Sequence, residues 1–227
     1  MSFCGSTLTI AIPALLVIII AVSMVFSSEY SMKTDVLILT TKHGKNKQIT
    51  AKLWASLIFA TLVISGVFIL FCIAFGLQYG LAGWNTSIQT NFGLSLMAIE
   101  IPLNNLQLLL LGFLIVWAAS IFTASITAVL SAITKTPFSS LIVALVVFGL
   151  PGIIRQMLNQ NPLRDILIAF PINAVNVQEV LRLPINTQSI FYNHPYAPAA
   201  SIGIVTLCIL ILSSAITHTA FRNHQPL

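Results

Sequence analysis

Side chains able to do chemistry are few in this chain, and they are unevenly placed. It has ten Lys or Arg and five Asp or Glu in 227 residues, and the richest run is residues 27–51, SSEYSMKTDVLILTTKHGKNKQITA. Within it Met32, Val36 and Leu39 fall at i, i+4 and i+7. Leu37 and Ile38 broaden the apolar face, and Asp35 and Lys42 stay outside it, which is the spacing of an amphipathic helix lying along a membrane interface. Gly44 offers a helix stop, and Lys45 and Lys47 can reach lipid headgroups or an acidic protein groove. A basic interface helix that serves only to set topology carries the same pattern.

The remaining reactive types are scattered. Gly93-Leu94-Ser95 and His218 supply the residue types of an intramembrane serine protease, but Ser95 falls in a loop on one side of the membrane and His218 near the other face. Cys4, Cys72 and Cys208 have neither C-x-x-C spacing nor a His set nearby, so they read as buried small apolar residues rather than as a zinc site or a disulfide framework. Ser120, Ala124, Ala128 and Ala132 recur every four residues, with Thr123, Thr127 and Ser131 beside them. Small residues at that spacing form a helix packing face, and hydroxyls there can also line a translocation path.

Composition says what must position these residues. The chain is 57% hydrophobic and 7% charged, with a mean hydropathy of +0.98. Soluble domains carry roughly 25% charged residues, so this chain cannot cover a water-facing surface, and a soluble enzyme, a disordered tail and a nucleic-acid module are all disfavoured. Uncharged runs at about 7–26, 53–77, 106–133, 139–154 and 200–221 approach the ~20 residues needed to cross a bilayer. The expected fold is an all-α polytopic membrane bundle of about five transmembrane helices, one domain over 1–227, with a loop at 27–52 and another at 156–199. The fourth run is the shortest and ends on Gly149, Pro151 and Gly152, a pattern open to a break or re-entry. In the second loop Leu163, Ile166, Leu167 and Phe170 share a helical face that Pro171 ends.

Orientation follows from the basic residues. Lys33, Lys42, Lys45, Lys47, Lys52, Lys135 and Arg222 fall on one side of an odd number of crossings, and Arg155, Arg164 and Arg182 on the other. The positive-inside bias puts the N-terminus outside and the C-terminus in the cytoplasm. No span holds Asp, Glu, Lys or Arg near its centre, where ion- and proton-coupled carriers commonly keep one. His218 reads as an interfacial histidine.

The segment after the first span resembles the first cytoplasmic loop of type-two ABC transporter permeases of the bacterial export type. Glu29, Thr34, Leu37 to Leu39, Thr41, Lys45 and Lys52 fall in register with that family's Glu, Gly-Thr pair, apolar helix, Thr-Pro turn, basic residue and span-opening Lys. Lys33, Lys42 and Lys45 stand where Gly, Pro and Arg are usual. The resemblance implies that Glu29, Thr34, Asp35, Leu37, Leu39, Thr41, Lys42, Gly44, Lys45, Lys47 and Lys52 form a cytosolic coupling helix and its flanks, docking on a separate ATP-binding subunit. It implies a multi-pass cell-membrane protein working beside a second permease copy or a related permease, with membrane lipid and no nucleic acid as surroundings. The chain has no G-x-x-x-x-G-K-[ST] run, so ATP and magnesium would sit on the partner, and this chain would bind no cofactor or metal and catalyse nothing itself. The tail Phe221-Arg222-Asn223-His224-Gln225 is similar as well. Family members usually have six spans, and the first span here matches their second, so the usual first helix is expected to be absent from this chain. An ATP-independent carrier or assembly subunit is the other reading.

Overall fold

A computed structural model describes residues 3–32, 47–80, 84–88, 103–158 and 162–222. It is all-α, and five helices are long and apolar enough to cross a membrane. They are α1 (Phe3–Ser31), α2 (Lys47–Tyr79), α3 (Asn105–Ile133), α4 (Pro137–Met157) and α8 (Ala197–Arg222). Between the last two lie short helices α5 (Pro162–Ile166), α6 (Pro171–Ala174) and α7 (Val177–Arg182), with single turns of tighter helix after α5 at Leu167–Ala169 and after α7 at Leu183–Ile185.

The centre of the bundle is α3, which packs against α1, α2, α4 and α8. About half of the apolar window of α1 and of α3 is buried inside the chain, against 11% for α2 and 17% for α8. The outer two helices therefore turn most of their surface to whatever surrounds the protein. On α1 the buried positions Ala11, Leu15, Ile18, Ile19, Val22 and Phe26 follow the helical period, which makes one continuous stripe. The facing residues of α3 are small. Ala124, Ala128 and Ala132 are at most 1% exposed, and their four-residue spacing lets the backbones come close.

Local signals explain the helix ends. Thr136 caps α4 by accepting from the Ser139 N–H at 3.3 Å, with Pro137 in the first turn, where its missing N–H costs nothing. The side chain of Gln107 reaches back to accept from the Asn104 N–H at 3.0 Å at the start of α3. The segment Trp84–Ile88 is tied to that same end: Ile88 N–H donates to Leu103 O at 3.1 Å, and Asn105 N–H to Thr86 O at 3.1 Å.

Several expectations need correction. The spans run past their apolar cores, so residues 27–31 and 47–52, read as loop, continue α1 and α2 as helix. Serine costs little there, because Ser27 and Ser28 donate back to the carbonyls four residues earlier, at 2.6 and 2.7 Å. The helix of the fourth span does not break at its Gly-Pro-Gly end. α4 is unbroken through Pro151 for 21 residues, about 32 Å at 1.5 Å per residue. Gly152 has a packing role instead, since a Cβ there would lie 3.3 Å from Ile172 on α6. The expected apolar face is split: Leu163 and Ile166 of α5 are exposed, whereas Phe170 is half-buried with its ring 5.8 Å from that of Phe122, and Asp165 and Ile168 are buried. Pro171 opens α6 as well as ending the run before it. Cys208 is exposed and Cys72 half-buried, because in a bilayer the outward face is as apolar as the core and cysteine suits both.

Replacing Ala128 by Leu forces extra volume into a fully buried position of α3. It is expected to cost about 1–3 kcal/mol, read as a lowered unfolding midpoint in detergent, while Ile211→Leu on the exposed flank of α8 leaves the midpoint unchanged.

Candidate functional site

Five helix ends lie at one face of the bundle: the C-termini of α1, α3 and α8 and the N-termini of α2 and α4. The strongest tie is ionic. Lys52 Nζ lies 2.5 Å from Glu29 Oε1, with side chains 20% and 16% exposed. The same ammonium donates to Val25 O at 2.8 Å and sits 4.9 Å from the centre of the Phe26 ring. Gln48 Nε2 donates to Glu29 Oε1 at 3.2 Å. Each charge also stands at the favourable end of the other's helix: the carboxylate beside the N-terminus of α2, and the ammonium beside the C-terminus of α1, where unpaired carbonyls carry partial negative charge.

A second tie is made of hydroxyls. Ser131 on α3 donates to Ser23 O at 2.8 Å and accepts from the N–H groups of Phe26 and Ser27, each at 3.1 Å. Its Oγ therefore sits inside the backbone ladder of α1. All three serines, 23, 27 and 131, are 0% exposed, a depth at which a polar group is tolerated only when hydrogen-bonded. One turn further on, Tyr30 OH donates to Ala132 O at 3.1 Å. A third tie links Thr50 Oγ1 and His218 Nε2, 3.3 Å apart, so the start of α2 holds the end of α8.

Of the proposed coupling residues, Glu29 and Lys52 are brought together, and Lys47 is exposed at the start of α2. Thr34, Asp35, Leu37, Leu39, Thr41, Lys42, Gly44 and Lys45 lie outside the described residues, as does Ser95. The stripe Ser120, Thr123, Ala124, Thr127, Ala128 and Ser131 is buried throughout. Ser120, Thr123 and Thr127 donate to carbonyls of their own helix, three or four residues back, and only Ser131 crosses to a neighbour. Thr123 and Thr127 also line a small pocket beside Phe148 and Phe170.

The opposite face of the bundle is closed differently. Arg155, at the end of α4, is ion-paired with Glu179 of α7 and donates through Nε to Arg164 O at 3.4 Å. Asn173 Nδ2 donates to Leu167 O at 2.8 Å and Pro151 O at 3.3 Å, and Asp165 accepts from Ile190 N–H at 3.0 Å. The short helices are thereby fastened as a cap. Sequence reasoning counted Arg155 and Arg164 only for orientation and did not use Glu179; nothing in the spacing of residues 24 positions apart marks the pair.

Sequence reasoning also missed the row of α3 next to the small-residue stripe. There Trp117, Ile121 and Ser125, four apart, back a cavity of about 670 Å³ between α2 and α8. The periodicity of those three was the one signal available. Among the described residues no three His, Cys, Asp or Glu gather as a metal site. No family model matches the chain, and neither does any curated protein or solved structure.

Removing one member of a shielded ion pair strands the other, at about 3 kcal/mol. Lys52→Met is expected to lower stability by that order, and Glu29→Gln combined with Lys52→Met to recover most of it. Chemical unfolding of the single and double variants measures the coupling, and additive losses would argue that the pair contributes nothing.

Proposed function

We propose that this chain is the membrane-spanning subunit of an ATP-driven exporter of the type-two ABC permease kind. Its loop between α1 and α2 docks on a separate ATP-binding subunit, and a second permease copy completes the path for the substrate. The face that gathers Lys47, Lys52, Lys135 and Arg222 is the cytoplasmic one under the positive-inside bias.

The observation that carries this reading is the Glu29–Lys52 pair. It closes the base of the loop, so a push on the loop moves the last turn of α1 and the first turns of α2 as one body. From there Ser131 and Tyr30 pass displacement to α3, and Thr50 passes it to α8. A docked motor needs such a stiff base, because a loop on slack stems absorbs motion instead of delivering it. The spans supply no ionisable residue at mid-membrane for ion coupling, which favours a motor supplied from outside over a self-contained carrier.

The test is purification from native membranes with identification of the co-purifying P-loop subunit, followed by ATPase assay of the reconstituted complex. Reversing a charge at the docking surface with Lys45→Glu is expected to reduce stimulated ATP hydrolysis about tenfold, the effect of ~1.4 kcal/mol. Unaltered hydrolysis in that variant, or transport by vesicles holding this chain alone without ATP, would overturn the proposal.

A further inference from the structure

The cavity between α2 and α8 is open along its length. Trp54, Ile58 and Leu62 stand at its mouth and are each more than half exposed, while Ser125 and Ser213 lie buried at its floor. Its volume of about 670 Å³ falls in the range of ligand sites, roughly 300–1,000 Å³. Its chemistry changes from one end to the other.

Along most of its length the wall is apolar, and apart from Ser125 at the floor its hydroxyls have spent their protons inside the protein. Ser56 donates to Leu53 O, Thr61 to Leu57 O and Ser213 to Leu210 O, at 2.7 to 3.0 Å. Trp117 Nε1 donates to Thr61 Oγ1 at 3.3 Å. A polar substrate would find almost no donors there, and would lose its hydration without replacement. A hydrocarbon chain loses nothing. From Thr50 to Leu62 the groove follows twelve residues of α2, about 18 Å at 1.5 Å per residue. That is close to the depth of one leaflet, about 15 Å of a ~30 Å core.

The other end is polar and basic. Thr50 and His218 close it. Lys47 is exposed one turn before Thr50, and residues three apart share a helix face. Trp54 lies one turn deeper, the level at which indoles favour the membrane interface. Among the described residues that line the groove there is no carboxylate.

We propose that this groove holds the hydrocarbon chain of an anionic amphiphile drawn from the adjacent leaflet, with its headgroup at Lys47, Thr50 and His218. A phospholipid phosphate and a fatty-acid carboxylate present the same charge to that end. The proposal requires only that α2, α3 and α8 cross a bilayer, and it does not depend on the exporter reading.

Tryptophan fluorescence tests it without any ATPase. The full chain carrying Trp54→Phe and Trp84→Phe retains Trp117 at the back of the groove. In phosphatidylcholine nanodiscs it is titrated separately with phosphatidylglycerol, a fatty acid and phosphatidylcholine, each brominated on its chain. Saturable quenching by either anionic probe is expected at about fivefold lower mole fraction than by the phosphatidylcholine, the factor that one Lys contributes near an anionic surface. The arm that saturates first identifies the headgroup. Adding Lys47→Gln, an exposed change that leaves packing intact, should remove the preference, and Ser213→Phe should fill the groove and remove the saturable component. Equal quenching by all three probes would overturn the proposal. So would disulfide formation between two copies of a Trp54→Cys chain at full yield in the bilayer, which would show a second copy occupying the groove.

Discussion

A charge placed between apolar helices must have its counter-charge within reach, and this requirement organises the molecule. Four of the few ionisable groups answer it in two pairs at helix ends, and the buried Asp165 is held instead by the Ile190 N–H. Glu29 and Lys52 join two helices at one face, and Arg155 and Glu179 join a helix to its cap at the other. Neither pair needs to be a large source of stability, since desolvation offsets much of the attraction. What each supplies is a fixed geometry: an ammonium that also donates to Val25 O and a guanidinium that also donates to Arg164 O cannot slide along their neighbours.

Between those ends, close packing does the work that charge cannot. Lipid chains are as apolar as leucine, so helices associate in a bilayer through fit and interhelical hydrogen bonds. The alanines of α3 supply the fit. Ser131 supplies the hydrogen bonds, entering the ladder of α1 where Ser23, Phe26 and Ser27 offer one carbonyl and two N–H groups. A hydroxyl one methylene longer or an apolar residue at position 131 would leave that geometry unmatched. The contact between α1 and α3 is thus the stiff part of the bundle, and α2 and α8, far less buried, are the parts able to shift.

The fold was legible because the bilayer imposes a length and a polarity that composition reveals directly. Five spans follow from it, and so does the small-residue stripe. The ends of the helices were not legible: α1 continues through Ser27 and Ser28, whose side chains bond back to their own helix, and composition alone reads such polar residues as loop. Burial of single residues was also hidden, as Cys208 shows, because an apolar residue facing lipid and one facing the core obey the same preference. The two ion pairs and the groove are tertiary facts. Glu29 and Lys52 entered the reading through a family resemblance, Arg155 and Glu179 carried no local signal, and the groove exists only where residues of α2, α3 and α8 come together.

The two faces of the bundle are built for different tasks. On one, the short helices are held against α4 by Arg155, Asn173 and Asp165, and Gly152 lets α6 sit close to the backbone; this end is a lid with several independent fastenings. On the other, α1, α3 and α8 end and α2 and α4 begin, tied through the Lys52 ammonium, a tyrosine and a histidine, and the chain leaves at residue 32 and returns at 47 there. A force applied at that second face meets α1 and α3 as a rigid pair and α2 and α8 as movable flanks. Separation of the flanks widens the groove between them and approach narrows it. A molecule seated in the groove and a force on the loop therefore act on the same coordinate, the spacing of α2 and α8, and each must influence the other in proportion to its preference for one spacing.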